Sequence, residues 1–399
     1  MKHALVLISL LLIGHAAKTD TSKIVQKCEN TFVLSGYGNQ IMLFEHKDNS
    51  TKFNLLKIYH QGNNAFYDCK RNIIIALQNK KRRLKEGILI YNISNNSQKL
   101  YETNSGFNGI IAKYKDGFIY STSKTKLNKV NNNQFGYIPK NKIFSKSLIL
   151  NSKNNELWYH YTEDRFFDLN KRSVIKTYPF GMWKISEIIN HDLYVYAGDF
   201  LKINLINKKA TNLWSIDHHM LKQNTKELKL PKARVGLFVN GVYFIITSSK
   251  SWDTVTNRNN TKAVKFKKGA IYQIKNQKLS FTTLLPFDDI VYANSPDKKY
   301  LYIFTKSRKV IKYNIEKNKI VQIYKLNIHL DQKFELATVG FTDDNFIISF
   351  EEDRYRNAYI VLANKNFTHF SKPYNIRMGG IDIATQKSIH TNHMRVNNL

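Results

Sequence analysis

The chain has 399 residues, of which 42% are hydrophobic and 13% aromatic, enough for a large core. The length would allow two or three domains, but with 6 Pro, 17 Gly and no Ser/Pro or Gly/Ser tract no linker is seen, and the chain is read as one domain. Lys and Arg number 62 against 30 acidic residues, a net charge of +32. Self-repulsion on that scale opposes compaction. It points to a polyanion partner (acidic glycan, lipid head group, nucleic acid or acidic protein), the alternative being a merely basic, solvated surface.

In chain order, residues 1–17 read as a secretory signal peptide. Met1-Lys2-His3 is a basic start, Ala4 to Ile13 an apolar run, and Gly14-His15-Ala16-Ala17 offers small residues for cleavage. The run is shorter than the ~20 residues that span a bilayer. No later stretch is apolar enough to do so. The mature chain is expected to begin near Lys18 and to be exported: secreted/extracellular or periplasmic. It holds two cysteines, Cys28 and Cys69. In an oxidising compartment the pair favours a disulfide, with two buried free thiols as the alternative.

Helical periodicity is nearly absent downstream. Short strands rich in Ile, Val, Phe and Tyr alternate with turns of Asn, Lys, Asp or Gly. Among them are Phe32–Gly36, Ile41–Glu45, Phe53–Tyr59, Ile73–Leu77, Gly87–Ile93, Gly117–Ser123, Leu193–Ala197, Val242–Thr247, Tyr300–Thr305, Val310–Ile315 and Phe346–Phe350. The segment Ile290–Leu326 reads as one four-stranded antiparallel meander. Comparable units fall at 64–102, 109–146, 147–179, 183–216, 234–286 and 335–373. Such a period is the pattern of propeller blades.

Within that segment, Ser295-Pro296-Asp297-Lys298-Lys299-Tyr300-Leu301-Tyr302-Ile303 followed by Val310-Ile311-Lys312-Tyr313-Asn314 resembles the blade repeat of YVTN- and WD-type β-propellers. It departs from the usual pattern at Lys298, where Gly is common. The resemblance implies a fold and no particular activity. Asp68-Cys69-Lys70-Arg71-Asn72-Ile73-Ile74-Ile75 resembles, more weakly, a segment of the insect yellow/major royal jelly proteins. Those are secreted propellers too, but the several cysteines usual there are missing.

The expected fold is all-β: a single propeller of four-stranded antiparallel blades over residues 18–385, with a flexible tail at 386–399. The N-terminal region supplies three strands, and Gly380–Ala384 is a lone strand that would complete that blade as its innermost member. This counts eight blades. A poor last strand in the 109–146 unit leaves seven open.

A meander of this kind sends its long links to one side. Residues 78–86, 124–134, 217–232 and 248–268 should share that side, where binding sites on rigid scaffolds gather. They carry Lys80, Lys81, Arg82, Arg83 and Lys85, then Lys265, Lys267 and Lys268. Arg308 and Lys309 belong to a shorter link on the same side. These ten are the candidate polyanion-binding residues.

Catalytic signals are weak. His218-His219 and His390-x-x-His393 lack the rest of a metal ligand set, so no metal and no cofactor are expected. Glu351-Glu352-Asp353 is an acidic cluster on the long-link side: a cation site, half of an acid/base pair, or a solvated run paired with Arg354 and Arg356. Five Asn-x-Ser/Thr sequons occur, at Asn49, Asn92, Asn95, Asn259 and Asn366.

The expected function is that of an exported non-enzymatic binding module for an acidic macromolecule or surface, with nucleic acid the least favoured partner and a monomer the favoured state. The alternatives are a propeller hydrolase or lyase using Asp199, Glu351 and Asp353 near the central channel, and a small-ligand carrier of the yellow type.

Overall fold

The computed structural model describes residues 28–36, 39–47, 50–78, 87–102, 106–114, 117–123, 155–161, 173–178, 184–196, 199–207, 209–215, 235–247, 253–257, 260–264, 269–275, 278–352 and 357–386. The signal peptide expected at 1–17 lies outside them. So does the tail, except Gln386.

The first sheet begins with β1 (Thr31–Ser35), β2 (Ile41–His46) and β3 (Phe53–Tyr59). The second holds β4 (Asn63–Asp68), β5 (Ile73–Gln78), β6 (Gly87–Asn92) and β7 (Ser97–Glu102). The third holds β8 (Gly106–Tyr114), β9 (Gly117–Ser123), β10 (Asn155–Tyr161) and β11 (Ser173–Tyr178). The fourth holds β12 (Lys184–Ile189), β13 (Asp192–Tyr196), β14 (Asp199–Asn204) and β15 (Ala210–Ser215). In the fifth, β16 (Val235–Val239) and β17 (Val242–Thr247) are followed by a separate ribbon of β18 (Asp253–Asn257) and β19 (Asn260–Val264). That sheet resumes with β20 (Ala270–Lys275) and β21 (Lys278–Leu284). The sixth holds β22 (Ile290–Asn294), β23 (Tyr300–Thr305), β24 (Lys309–Asn314) and β25 (Lys319–Lys325). The seventh holds β26 (Phe334–Phe341), β27 (Asn345–Glu352), β28 (Ala358–Asn364) and β29 (Tyr374–Ile376). Finally β30 (Asp382–Thr385) returns to the first sheet and pairs with β1.

Among the described residues, then, six four-stranded sheets are each built from one continuous segment, and the remaining one, the first, is closed by the C-terminal strand. All strand pairs are antiparallel. The innermost strands β30, β4, β8, β12, β16, β22 and β26 contact one another in that order, and β26 contacts β30. This is a closed β-propeller. The eight-blade reading is corrected: β8 and β9 come from the 109–146 unit, β10 and β11 from the 147–179 unit, and together they make one sheet. Sequence separates the two units because strands that pair across a long stretch of chain leave no local signal of their pairing.

The strands legible in sequence are mainly the inner ones, which are covered on both faces by neighbouring sheets. Ile73-Ile74-Ile75-Ala76-Leu77 in β5 is buried throughout. Outer strand β25 is mostly exposed and reads as Lys-Ile-Val-Gln-Ile-Tyr-Lys. The core lies between blades. Phe304 and Val310 of the sixth sheet meet Phe346, Ile348 and Val361 of the seventh. Ile347, Ile360 and Leu362 meet Phe32, Phe44 and Ile383 of the first. Val33 and Leu43 meet Tyr67, Ile74 and Leu89 of the second. Each such side chain contributes roughly 1.5–3 kcal/mol on burial.

Innermost strands β4, β8, β12, β22 and β26 carry register shifts. Hydroxyls cover backbone donors in these irregular strands: Thr338 N donates to Ser349 Oγ at 3.0 Å, and Ala65 N to Ser35 Oγ at 3.0 Å. The departure from the blade repeat at Lys298 also has a physical meaning. Lys298 sits at φ 55, the left-handed region that glycine adopts without strain. Asp297 Oδ1 accepts from Lys299 N and Tyr300 N, both at 2.9 Å, and so fixes the turn.

Cys28 and Cys69 are bonded, with their Cα atoms 5.3 Å apart. The bond ties the residues before β1 to the turn between β4 and β5. Gln386 Oε1 accepts from Cys69 N at 3.1 Å, so the C-terminal strand is tied to the same turn. Replacing both cysteines by serine should lower the unfolding free energy by about 2–4 kcal/mol, read from denaturant midpoints at unchanged slope.

Candidate functional site

The antiparallel order divides the links between two sides of the ring. On the connection side emerge the links between second and third strands of each blade and those from one blade to the next. Arg308, between β23 and β24, marks it by reaching the blade-to-blade link before β26. On the turn side, Asn240 Nδ2 donates to Lys298 O at 3.1 Å. There too, His46 Nε2 lies 3.0 Å from Thr342 Oγ1 and stitches the seventh blade to the first. The links 79–86, 124–154, 216–234 and 248–269 all join strand ends on the connection side.

Lys80, Lys81, Arg82, Arg83 and Lys85 lie outside the described residues, as do Lys265, Lys267 and Lys268. Arg308 and Lys309 are described, and both face protein. Arg308 Nη1 donates to Ile328 O at 3.2 Å and Leu330 O at 2.8 Å. Its Nη2 donates to Asp331 O at 2.7 Å and Phe334 O at 3.1 Å, and Cζ lies 5.5 Å from the centre of the Phe350 ring. Burial lowers the pKa of this guanidinium, against a smaller opposing effect of Asp331. Lys309 Nζ lies 4.1 Å from the centre of the Phe287 ring. Nearby, Lys306 pairs with Glu335 at 2.6 Å and Lys333 with Glu352 at 3.5 Å. Sequence counts a cation without knowing how many carbonyls it already serves. In sequence, Arg308 therefore reads as a free cation.

The acidic cluster divides. Glu352 pairs with Lys333, and Asp353, Arg354 and Arg356 lie outside the described residues. Glu351 is not part of a solvated run. It is buried at the end of β27, where Oε2 accepts from Gly380 N and Oε1 from Ile381 N, both at 2.9 Å. Those two amides belong to the segment entering β30, so Glu351 holds the closing strand in place. Asp199 begins β14 on the same side of the ring. His218, His219, His390 and His393 lie outside the described residues.

Sequence reasoning missed Asp382, the first residue of β30. Burial, with the Glu351 charge beside it, raises its carboxyl from 3.8 to about 8. The one available signal was a lone acid among Ile381, Ile383 and Ala384. Other titratable groups on elements packed against β30 are Glu335 on β26 and Tyr67 and Asp68 on β4. Asp68 is engaged at the far end, where it receives Arg71 N and Arg71 Nη1.

The geometry defines a β-propeller with its long links joining strand ends on one side and a carboxyl pair at its seam. No protein-family model and no curated protein sequence matches the chain, so the YVTN/WD and yellow resemblances rest on the quoted segments alone. Solved structures similar to it include AztD from Citrobacter koseri, at 10% identity over 89% of this chain and 96% of that one, with a TM-score of 0.46. BamB from Moraxella catarrhalis aligns at 9% identity over 84% and 80%, with a TM-score of 0.43. The computationally designed Ika8 protein aligns at 9% identity over 91% and 93%, also at 0.43.

Because the folded state keeps the Asp382 proton that the unfolded chain releases above about pH 4, stability should fall as pH rises from there towards 8. The slope expected is on the order of 1 kcal/mol per pH unit. Asp382→Asn removes this dependence. Its melting temperature should match the parent near pH 4 and exceed it increasingly up to pH 8, as calorimetry across that range would show.

Proposed function

We propose that this chain is an exported, non-enzymatic propeller that binds an anionic macromolecule or surface through its connection side. One observation supports the reading: the strand ends that the cation-dense links join all lie on one side of the ring. Residues 79–86 hold five cations against one acid, in a chain whose net charge is +32. Clustered exposed cations raise the local potential and draw in a polyanion over about a Debye length, ~8 Å at physiological salt. Export is supported by the N-terminal pattern and by the Cys28–Cys69 bond, which belongs to an oxidising compartment. Among the described residues, no helix is long and apolar enough to cross a membrane. The hydrolase or lyase alternative gains nothing from Glu351, whose two oxygens are both taken by backbone amides.

Binding to heparin, a sulfated glycan, and to vesicles of anionic lipid separates the two main sources of negative charge. Affinity for one of them should fall steeply between low and high salt. Changing Lys80, Lys81, Arg82 and Arg83 together to Glu should weaken it at least tenfold, while Lys319→Glu on the turn side leaves it within twofold. Binding indifferent to both salt and the fourfold change would overturn the reading.

A further inference from the structure

We propose that Asn95 and Asn366 are N-glycan acceptors, placing carbohydrate on the turn side of the propeller, opposite the cation-dense links. The inference rests on the export part of the functional reading and is independent of anion binding. An Asn-x-Ser/Thr sequon can carry a glycan in the folded protein only where its amide reaches solvent.

Topology sorts the sequons. Asn92 and Asn95 lie at the turn between β6 and β7, the last hairpin of the second blade. Asn366 lies in the corresponding turn after β28 in the seventh blade. The first blade stands between these two in the ring, so both turns fall on one arc of the turn side. Asn49 and Asn259 lie outside the described residues and are not included.

Local geometry then selects among the three. Asn92 is half-buried, and its Oδ1 accepts from Asn95 N at 3.2 Å. Asn95 is exposed. Its Oδ1 accepts from Ser97 N at 3.1 Å and Ser97 Oγ at 2.7 Å, so the sequon hydroxyl lies against the acceptor amide. Its greater exposure and the contact with the sequon hydroxyl make Asn95 the better acceptor of that turn. In Asn366-Phe367-Thr368 the structural demands fall on the neighbours. Phe367 is buried between the sixth and seventh sheets at φ 54. Thr368 N donates to Asn364 Oδ1 at 2.8 Å, and Asn364 Nδ2 donates to Thr368 Oγ1 at 2.8 Å. Asn366 itself is exposed at the tip of the turn. Neither acceptor is covered by another blade.

The step balances with one co-reactant, a lipid-diphosphate-linked oligosaccharide. Asn Nδ2 attacks the anomeric carbon and forms the N–C bond. The C–O bond to the diphosphate breaks, the lipid diphosphate leaves with the electron pair, and one amide proton passes to a base of the transferase.

The test is peptide mapping of the full chain, isolated from the medium of the cells that naturally make it and treated with an amidase in heavy-oxygen water. Heavy-labelled aspartate at 95 and 366 is the expected result. The Asn95→Gln and Asn366→Gln variants should each migrate one glycan lighter. Secreted chain with both asparagines unmodified overturns the glycan proposal and leaves export standing. Chain found only in the cytosol overturns both. Occupancy at Asn92 instead of Asn95 overturns the choice of acceptor in that turn.

Discussion

Strand β30 pairs with β1 from Phe32 opposite Thr385 to Ser35 opposite Asp382, and most other features depend on that pairing. Without it β1 would show an open row of backbone donors and acceptors on the inner edge of its blade, the kind of edge that invites pairing with another chain. It would also leave Phe32, Leu34 and Ile383 without the packing they find against Ile347, Ile360 and Leu362. Three further contacts hold the two ends of the chain to the ring. Glu351 grips the amides entering β30, Gln386 holds Cys69 N, and the Cys28–Cys69 bond fixes the approach to β1. The seam is therefore closed at both of its ends, one on each side of the propeller.

Closure has a second consequence, for charge. A repulsive surplus of +32 is tolerable only if like charges are spread apart or meet a partner. Where cations lie on well-packed links, the protein has answered part of the charge itself. Arg308 is turned onto four carbonyls, Lys306 onto Glu335, and Lys309 onto an aromatic ring. Exposed pairs such as Lys306–Glu335 contribute only about 0–1 kcal/mol to stability. Their effect is that, over the sixth and seventh blades, cations on the connection side are answered by the protein's own groups.

Much of the architecture was legible because blades bury their inner strands on both faces. Ile73–Leu77, Tyr300–Thr305 and Phe346–Phe350 are apolar runs bounded by turns, and each is an inner strand. The lone strand near the C-terminus and the pairing of the two cysteines were legible for the same reason: a ring needs one more strand, and the cysteines fall in neighbouring blades on one side. The division at 109–179 was not legible. The two units there read separately in sequence, and only the pairing of β9 with β10 shows that they share one sheet. The carboxyl pair was half legible. Glu351 stood out as an acid, but its burial follows from where Gly380 and Ile381 arrive, and Asp382 drew no notice at all.

The sequence by itself determined that this is an all-β chain of repeated meanders, strongly basic, with a closing strand and one pair of cysteines. These follow from local periodicity, turn chemistry and composition, which need no knowledge of distant contacts. The tertiary structure alone decided how the strands group into sheets and which cations are spent on the protein's own carbonyls. It also decided which acid is buried beside another. Each of these depends on atoms brought together from far along the chain, and desolvation and hydrogen bonding act on that proximity, not on sequence order.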